Sequence, residues 1–172
     1  MKRKFLIVVI LLITAFMVKY INISFTENAS FSELVLEKYK EKDFNEILID
    51  KEIENGNYDI RKSEENSDID KIIKHFNDLK LEELRENEIS KIDGYKYEIK
   101  LHNTKTHEYL NIGINDKKTI RIIYQLMRKD ENKSKNLTVW KHKRYIKYYR
   151  IQDDEVNLSY IEKVYQGMNA LE

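Results

Sequence analysis

The 172-residue chain predicts an α+β fold: an N-terminal transmembrane helix, then a single antiparallel sheet of about five to seven strands with helices packed on its apolar face. Three observations carry this expectation. An uncharged apolar run from Phe5 to Val18, with Thr14 its one polar residue, follows the basic Lys2, Arg3 and Lys4. Tyr95, Tyr97, Ile99 and Leu101 alternate with Lys96, Glu98 and Lys100, the period of a half-buried strand. Ile69, Ile72, Ile73, Phe76 and Leu79 fall at the spacing that puts them on one helical stripe.

The leader is read first because it decides the compartment. A basic start before an apolar core is recognised for export, and the excess of Lys and Arg keeps that end cytoplasmic, so the body is expected outside. The run itself has the length of a secretory signal. Lys19 can snorkel, however, while Tyr20, Ile21 and Ile23 extend the apolar surface to Phe25, which reaches the roughly 20 residues of a membrane span. Glu27 and Ala29 occupy the positions where a cleavage site wants two small residues. Residues 1–25 are therefore read as a single-pass signal anchor of the cell membrane, with secretion after cleavage as the alternative. Residues 26–43 are read as linker and short helix, and 44–170 as an extracytoplasmic domain.

Composition narrows the chemistry. The chain has no cysteine, no proline and four glycines, so an exported body is held by packing without disulfides, and a lipid-anchored cysteine is excluded. Charge lies in blocks: residues 27–116 hold 14 basic and 23 acidic side chains, residues 117–150 hold 12 and 2, and residues 151–172 hold 1 and 5. Such blocks select a partner only if they stay apart in space.

In order, Ile23–Ser30 reads as a polar linker. Ser30 can cap a helix with Glu33, placing Phe31, Leu34, Val35 and Tyr39 on one side as far as Lys40, with Leu36 and Lys38 fitting less well. Phe44–Ile53 reads as a strand with Ile47, Ile49 and Ile53 on one face; Asn55-Gly56-Asn57 turns the chain, and Tyr58, Ile60 and Lys62 return it. Ser67 with Asp70 predicts a capping box for the striped helix. Leu81–Glu88, Tyr95–His102, Glu108–Asn115 and Thr119–Arg128 read as a meander, with turns at Asp93-Gly94 and Asn115-Asp116. Lys129–Asn136 reads as a loop. Val139–Ile151 is a long strand whose alternation falters at Tyr148-Tyr149, predicting a bulge or an edge. Asn157 caps a last helix bearing Leu158, Ile161, Val164, Tyr165 and Met168 and ending at Gly167.

The anchor, the unit DFNEILIDKEIENGNYDIRKSEENSDIDKIIKHFNDLK, the segment GYKYEIKLHN and the closing LSYIEKVY helix together resemble the small membrane-anchored envelope domains of low-GC, spore-forming Gram-positive bacteria. The resemblance spans about Phe44 to Met168. It implies fold and location and carries no catalytic residues.

The chain holds no phosphate-cradling glycine loop, no nucleophile elbow and no thiol. His102 and His107 flank a hairpin tip where two ligands could share a metal, yet solvated turn histidines explain them as well, and no metal or other cofactor is expected. Acidic pairs such as Glu82-Glu83, Glu86-Glu88 and Asp153-Asp154 are candidates for general acid and base, but that work needs two carboxyls converging in a cleft, and adjacent acids on a strand face opposite ways. One run stands out. Lys133–Arg150 contains no acid and holds Lys141, Lys143, Arg144, Lys147 and Arg150 interleaved with Tyr145 and Tyr149. Outside a cell that composition suits an anionic envelope polymer, a lipid headgroup or a protein partner, and not nucleic acid. Alternatively, an acidic neighbouring strand cancels the charge and the aromatics fill the core. Function is therefore read as a non-catalytic, membrane-tethered binding module, with an immunity-type or sensor accessory of an exported partner as the alternative and a hydrolase as the third reading.

Overall fold

The computed structural model describes residues 29–39, 43–54, 56–89, 94–132 and 137–171. The anchor expected at residues 1–25 lies outside them, and among the described residues no helix is long and apolar enough to cross a membrane. The body is α+β, with one antiparallel sheet of nine strands among the described residues. In chain order these are β1 (Ala29–Ser30), α1 (Phe31–Leu34), a 3₁₀ turn (Leu36–Lys38), β2 (Glu46–Glu52), β3 (Tyr58–Ser63), α2 (Asn66–Asn77), β4 (Lys80–Glu83), α3 (Glu86–Ile89), β5 (Tyr97–Asn103), β6 (Glu108–Ile114), β7 (Thr119–Asn132), β8 (Leu137–Ile151), α4 (Leu158–Gly167) and β9 (Asn169–Ala170). Their order across the sheet is β1-β4-β8-β7-β6-β5-β2-β3-β9.

One face is apolar. Ile47 and Ile49 on β2, Ile99 and Leu101 on β5, Leu110, Ile112 and Ile114 on β6, and Ile120 and Ile122 on β7 are buried under α1, α2 and α4, which contribute Phe31, Ile72, Phe76, Ile161 and Tyr165. Phe31 and Phe76 meet with ring centroids 5.4 Å apart, so α1 and α2 share one core. The opposite face is built from ion pairs: Glu98 accepts from Arg121 and, at 3.0 Å, from the Asn111 amide, while Lys100 bridges Asp50 and Glu98. Gly113 lets Tyr95 lie across this face beneath the Arg121 guanidinium, which stands 3.9 Å from its ring centroid.

Several expectations hold in detail. Ser30 and Glu33 form the capping box, Asn157 Oδ1 accepts from the Tyr160 N–H at 3.0 Å, and Gly56 turns the β2–β3 hairpin at φ +76°. Others are corrected. The count of five to seven strands missed β1 and β9, which are two residues long and too short to show a period. Ala29 and Ser30, read as linker, pair with Leu81 and Lys80. Leu36 is buried because the chain tightens into the 3₁₀ turn after α1, which rotates it inward. Ile53 falls beyond the end of β2 and is 56 % exposed. Ser67 lies inside α2 and caps nothing; the Ser63 hydroxyl serves that end, accepting from the Glu65 N–H and donating to Asp68.

The largest correction concerns Leu81–Glu88. The strand stops at Glu83, α3 follows, and β4 pairs with β8 rather than with β5. The meander proper is β5-β6-β7-β8. Lys129–Asn132, read as loop, continues β7, and the β7–β8 register runs unbroken from Thr119↔Arg150 to Asn132↔Leu137, so Tyr148-Tyr149 is no bulge. Alternation falters there because Tyr149 is buried in the core while Tyr148 is half-buried on the opposite face.

Candidate functional site

The basic strand is β8, and a period of two divides its candidates between faces. Lys141, Lys143, Tyr145, Lys147 and Tyr149 share the helix side, whereas Arg144 and Arg150 lie on the other. The seven residues therefore do not form one patch.

Where β4 runs alongside, the charge is consumed. The Lys147 ammonium pairs with Glu83, and Arg150 reaches Glu88 at 2.7 Å and Glu82 at 3.9 Å. The Arg150 hydrogen bond, helped by the Arg85 N–H, holds the Glu88 carboxyl below its ordinary range. Tyr149 is buried, its hydroxyl 3.0 Å from that of Tyr124, which itself donates to the Leu34 carbonyl at 3.4 Å. Burial raises the Tyr124 phenol far above its usual value, so it stays protonated. Further along the same basic block, Lys117 pairs with Glu155 at 3.0 Å and Arg121 with Glu98. Cross-strand cancellation thus accounts for Lys147, Tyr149 and Arg150.

It does not account for the far end. The last pair between β6 and β7 is Tyr109↔Gln125, and β4 leaves β8 after Glu83↔Tyr149. From Leu126↔Lys143 to Asn132↔Leu137, seven further pairs continue as a two-stranded ribbon. Lys143 and Arg144 stand at its base, exposed, with no ion-pair partner among the described residues. Tyr145 and Ile146 beside them are 46 % and 50 % exposed. Among the described residues, the outer edge of β8 next to this base is taken only by β4 and by the Leu84 N–H, which donates to the Tyr148 carbonyl at 2.8 Å.

A cleft of about 270 Å³ opens in the corner where β4 ends. Leu34, Leu126, Tyr124 and Tyr149 line its interior, and Tyr145, Lys38, Lys147 and Glu83 complete the wall. Sequence reasoning named the tyrosines and lysines of β8 but missed the cleft, because Leu34 reaches it through the packing of α1 on the sheet and Glu83 through the β4–β8 pairing, neither of which a local pattern reveals. A second cleft, about 420 Å³, lies between the start of β2, α2 and the β5–β6 turn, lined by Asp43, Asn45, Asn66, Asp70 and Lys105 among others.

The histidines do not converge. His102 Nδ1 lies 3.3 Å from Glu46 Oε1 across β2–β5, whereas His107 sits in the hairpin turn at φ +56°; the register sets His102 opposite Tyr109, so the two do not face each other. His75 Nε2 accepts the Asn157 N–H at 3.2 Å and stacks on Tyr160, and burial lowers its pKa, which keeps that nitrogen unprotonated. Among the described residues no group of three potential metal ligands occurs. Glu82 and Glu83 part as expected for strand neighbours, Glu82 toward Gln152 and Glu83 toward Lys147. Comparison with protein-family models, curated proteins and solved structures finds no match to this chain.

Proposed function

We propose that the chain is a non-catalytic, membrane-tethered binding module of a bacterial cell envelope, its body outside the membrane, which meets an anionic partner through the base of the β7–β8 ribbon. The observation that carries the reading is the contrast along β8: Lys147 and Arg150 are spent on carboxylates of the chain itself, and Lys143 and Arg144 are not. Beyond the Met127 N–H, which donates to Glu108 at 2.8 Å, β7 and β8 run on with no third strand paired to them among the described residues, and such a two-stranded ribbon is marginal in water unless something lies against it. Cations placed there attract polyanions from a distance set by ionic strength. The tether comes from the leader, where three basic residues precede the apolar run.

Two measurements test it. Full-length protein in neutral detergent binds immobilised poly-L-glutamate in a salt-sensitive manner, and Lys143→Gln with Arg144→Gln weakens that binding by about tenfold, the loss of two partly screened contacts. Equal binding by both forms overturns the surface. Protease added to intact cells digests the body; digestion only after lysis overturns the compartment.

A further inference from the structure

We propose that the outer edge of β8 beyond β4, which no strand among the described residues occupies, is a strand-addition site for an extended acidic segment of a protein partner. The inference rests on the ribbon reading above and names its partner. Three features of the fold lead to it.

The first is a lane that β4 leaves open. β4 lies against β8 only from Leu81↔Ile151 to Glu83↔Tyr149, and the chain then turns away through Leu84 into α3. In an antiparallel ladder each residue directs its N–H and C=O to the same side, and alternate residues alternate sides. The Tyr148 carbonyl points outward, to Leu84, while the Ile151 N–H points inward, to the Lys118 carbonyl. Ile146, Arg144 and His142 therefore direct their peptide groups into the lane beyond β4. An incoming strand of about six residues, spanning about 20 Å, would continue the β4 lane without displacing any strand among the described residues.

The second is charge. Unpaired edges invite self-association, and basic side chains commonly guard them. A second copy laid antiparallel along this edge would bring its own Lys143 and Arg144 against those of the first. An acidic strand meets them favourably on both faces, because Lys143 lies on the helix side and Arg144 on the other.

The third is the cleft. Strand addition gains affinity from main-chain hydrogen bonds and specificity from pockets that receive alternate side chains. The 270 Å³ cleft opens at the end of β4, with Tyr145 and Lys147 in its wall and Leu34 and Leu126 inside. A strand in the vacant lane would present every second side chain to that side. One apolar or aromatic side chain entering the cleft, flanked by acids, is the expected signature of the partner. A lipid surface would satisfy the charges and leave the peptide groups unused.

The test uses full-length protein in neutral detergent and a labelled synthetic peptide of about ten residues alternating Glu with Val or Tyr, beside the same peptide N-methylated at alternate amides in either register. The expected result is salt-sensitive binding of the parent peptide, a loss of about tenfold or more on methylation in one register, and slowed amide exchange at Arg144 and Ile146. Ile146→Pro keeps every charge, removes one outward N–H and spares the β7 ladder, so it weakens the peptide while leaving poly-L-glutamate binding in place. Equal binding of parent and both methylated peptides overturns strand addition and leaves the anionic contact standing. Failure of poly-L-glutamate as well sinks both. Preferred, salt-sensitive capture by phosphatidylglycerol vesicles without amide protection assigns the surface to lipid and overturns the proposal. Should Ile146→Pro fail to fold, the methylated peptides against the unaltered protein decide alone.

Discussion

The corner under α4 and the β7–β8 ribbon are built from the same residue types, and the cover above them decides what those residues do. Under α4, Lys51 bonds Glu162 at 2.8 Å, Tyr97 donates to the same carboxylate, and Arg61 lies 4.5 Å over the Tyr165 ring while the Tyr165 hydroxyl donates to Asp59. A helix laid across the strands brings in the carboxylate and the ring that turn each strand cation into structure. At the base of the ribbon α1 and the 3₁₀ turn bring Leu34 and Lys38 to the cleft wall, and among the described residues no carboxylate is brought to Lys143 or Arg144. Composition alone does not separate the two regions, since both read as Lys, Arg and Tyr on alternating strands.

The comparison implies unequal stability. Phe76 is fully buried between α1 and the sheet, so Phe76→Ala costs about 3–5 kcal/mol, the transfer term plus a cavity that the Phe31 ring cannot close. Tyr145→Ala, at a half-exposed position beside the base of the ribbon, costs under about 1 kcal/mol. Urea unfolding of both variants checks this, and similar midpoints would erase the distinction.

Next in size is Gly113→Ala. A Cβ there would lie 2.8 Å from Tyr95 Cδ1 and 2.9 Å from Cε1, and the ring can yield only by leaving the Arg121 guanidinium. The expected cost is about 1–3 kcal/mol. Tyr95→Ala combined with Gly113→Ala costs less than the two changes summed, because the clash disappears with the ring; full additivity would show that Tyr95 does not rest on the glycine.

The parts of this fold that were legible in the sequence are those specified locally. The Ile69–Phe76 stripe, the Ser30–Glu33 box, the Asn157 cap and the Tyr97–Leu101 alternation each depend on spacings of a few residues, and each stands as read. Pairings across the sheet were not legible. Leu81 meets Ile151 seventy residues later, and nothing near Leu81 says so. The edge strands β1 and β9 are too short for a period, and the 3₁₀ turn that buries Leu36 breaks the helical period the reading assumed. At the candidate site the residue types were visible, but their division between two faces and the early end of β4 follow from register. Lys147 and Lys143 look alike in sequence; only Glu83, brought by β4, distinguishes them.

The α4 corner also carries a pH signature. Burial alone would raise the Glu162 carboxyl, but hydrogen bonds from Lys51, Tyr97 and Gln166 outweigh it and hold the pKa at about 2 against an ordinary 4.5. A depressed carboxylate contributes stability that is complete above about pH 4.5 and is lost as pH falls through about 2. Allowing for partial exposure, the contribution is roughly 1–2 kcal/mol. Glu162→Gln is therefore less stable than the unaltered protein by that amount at neutral pH, and the two converge near pH 2. A constant gap in denaturant midpoints between pH 7 and pH 2 would remove the carboxylate from the account.

The smallest expected change is also the one that separates a binding surface from a structural one. Lys143 faces Leu126 across the ribbon and Arg144 faces Gln125, so neither meets a carboxylate on its partner strand, and Lys143 shares its face with Lys141 two residues away. Neither gains an ion pair among the described residues, and Lys143 has a like charge beside it on its own face. Lys143→Gln with Arg144→Gln therefore changes folding stability by no more than about 0.5 kcal/mol, in the stabilising direction, and the gain shrinks as added salt screens the unaltered protein. Thermal unfolding of the two forms at low and high ionic strength reads both effects. Should neutralisation instead destabilise the body by more than about 1 kcal/mol, the two cations would be spent on the fold as Lys51 and Arg61 are, and they would have no charge to offer a partner.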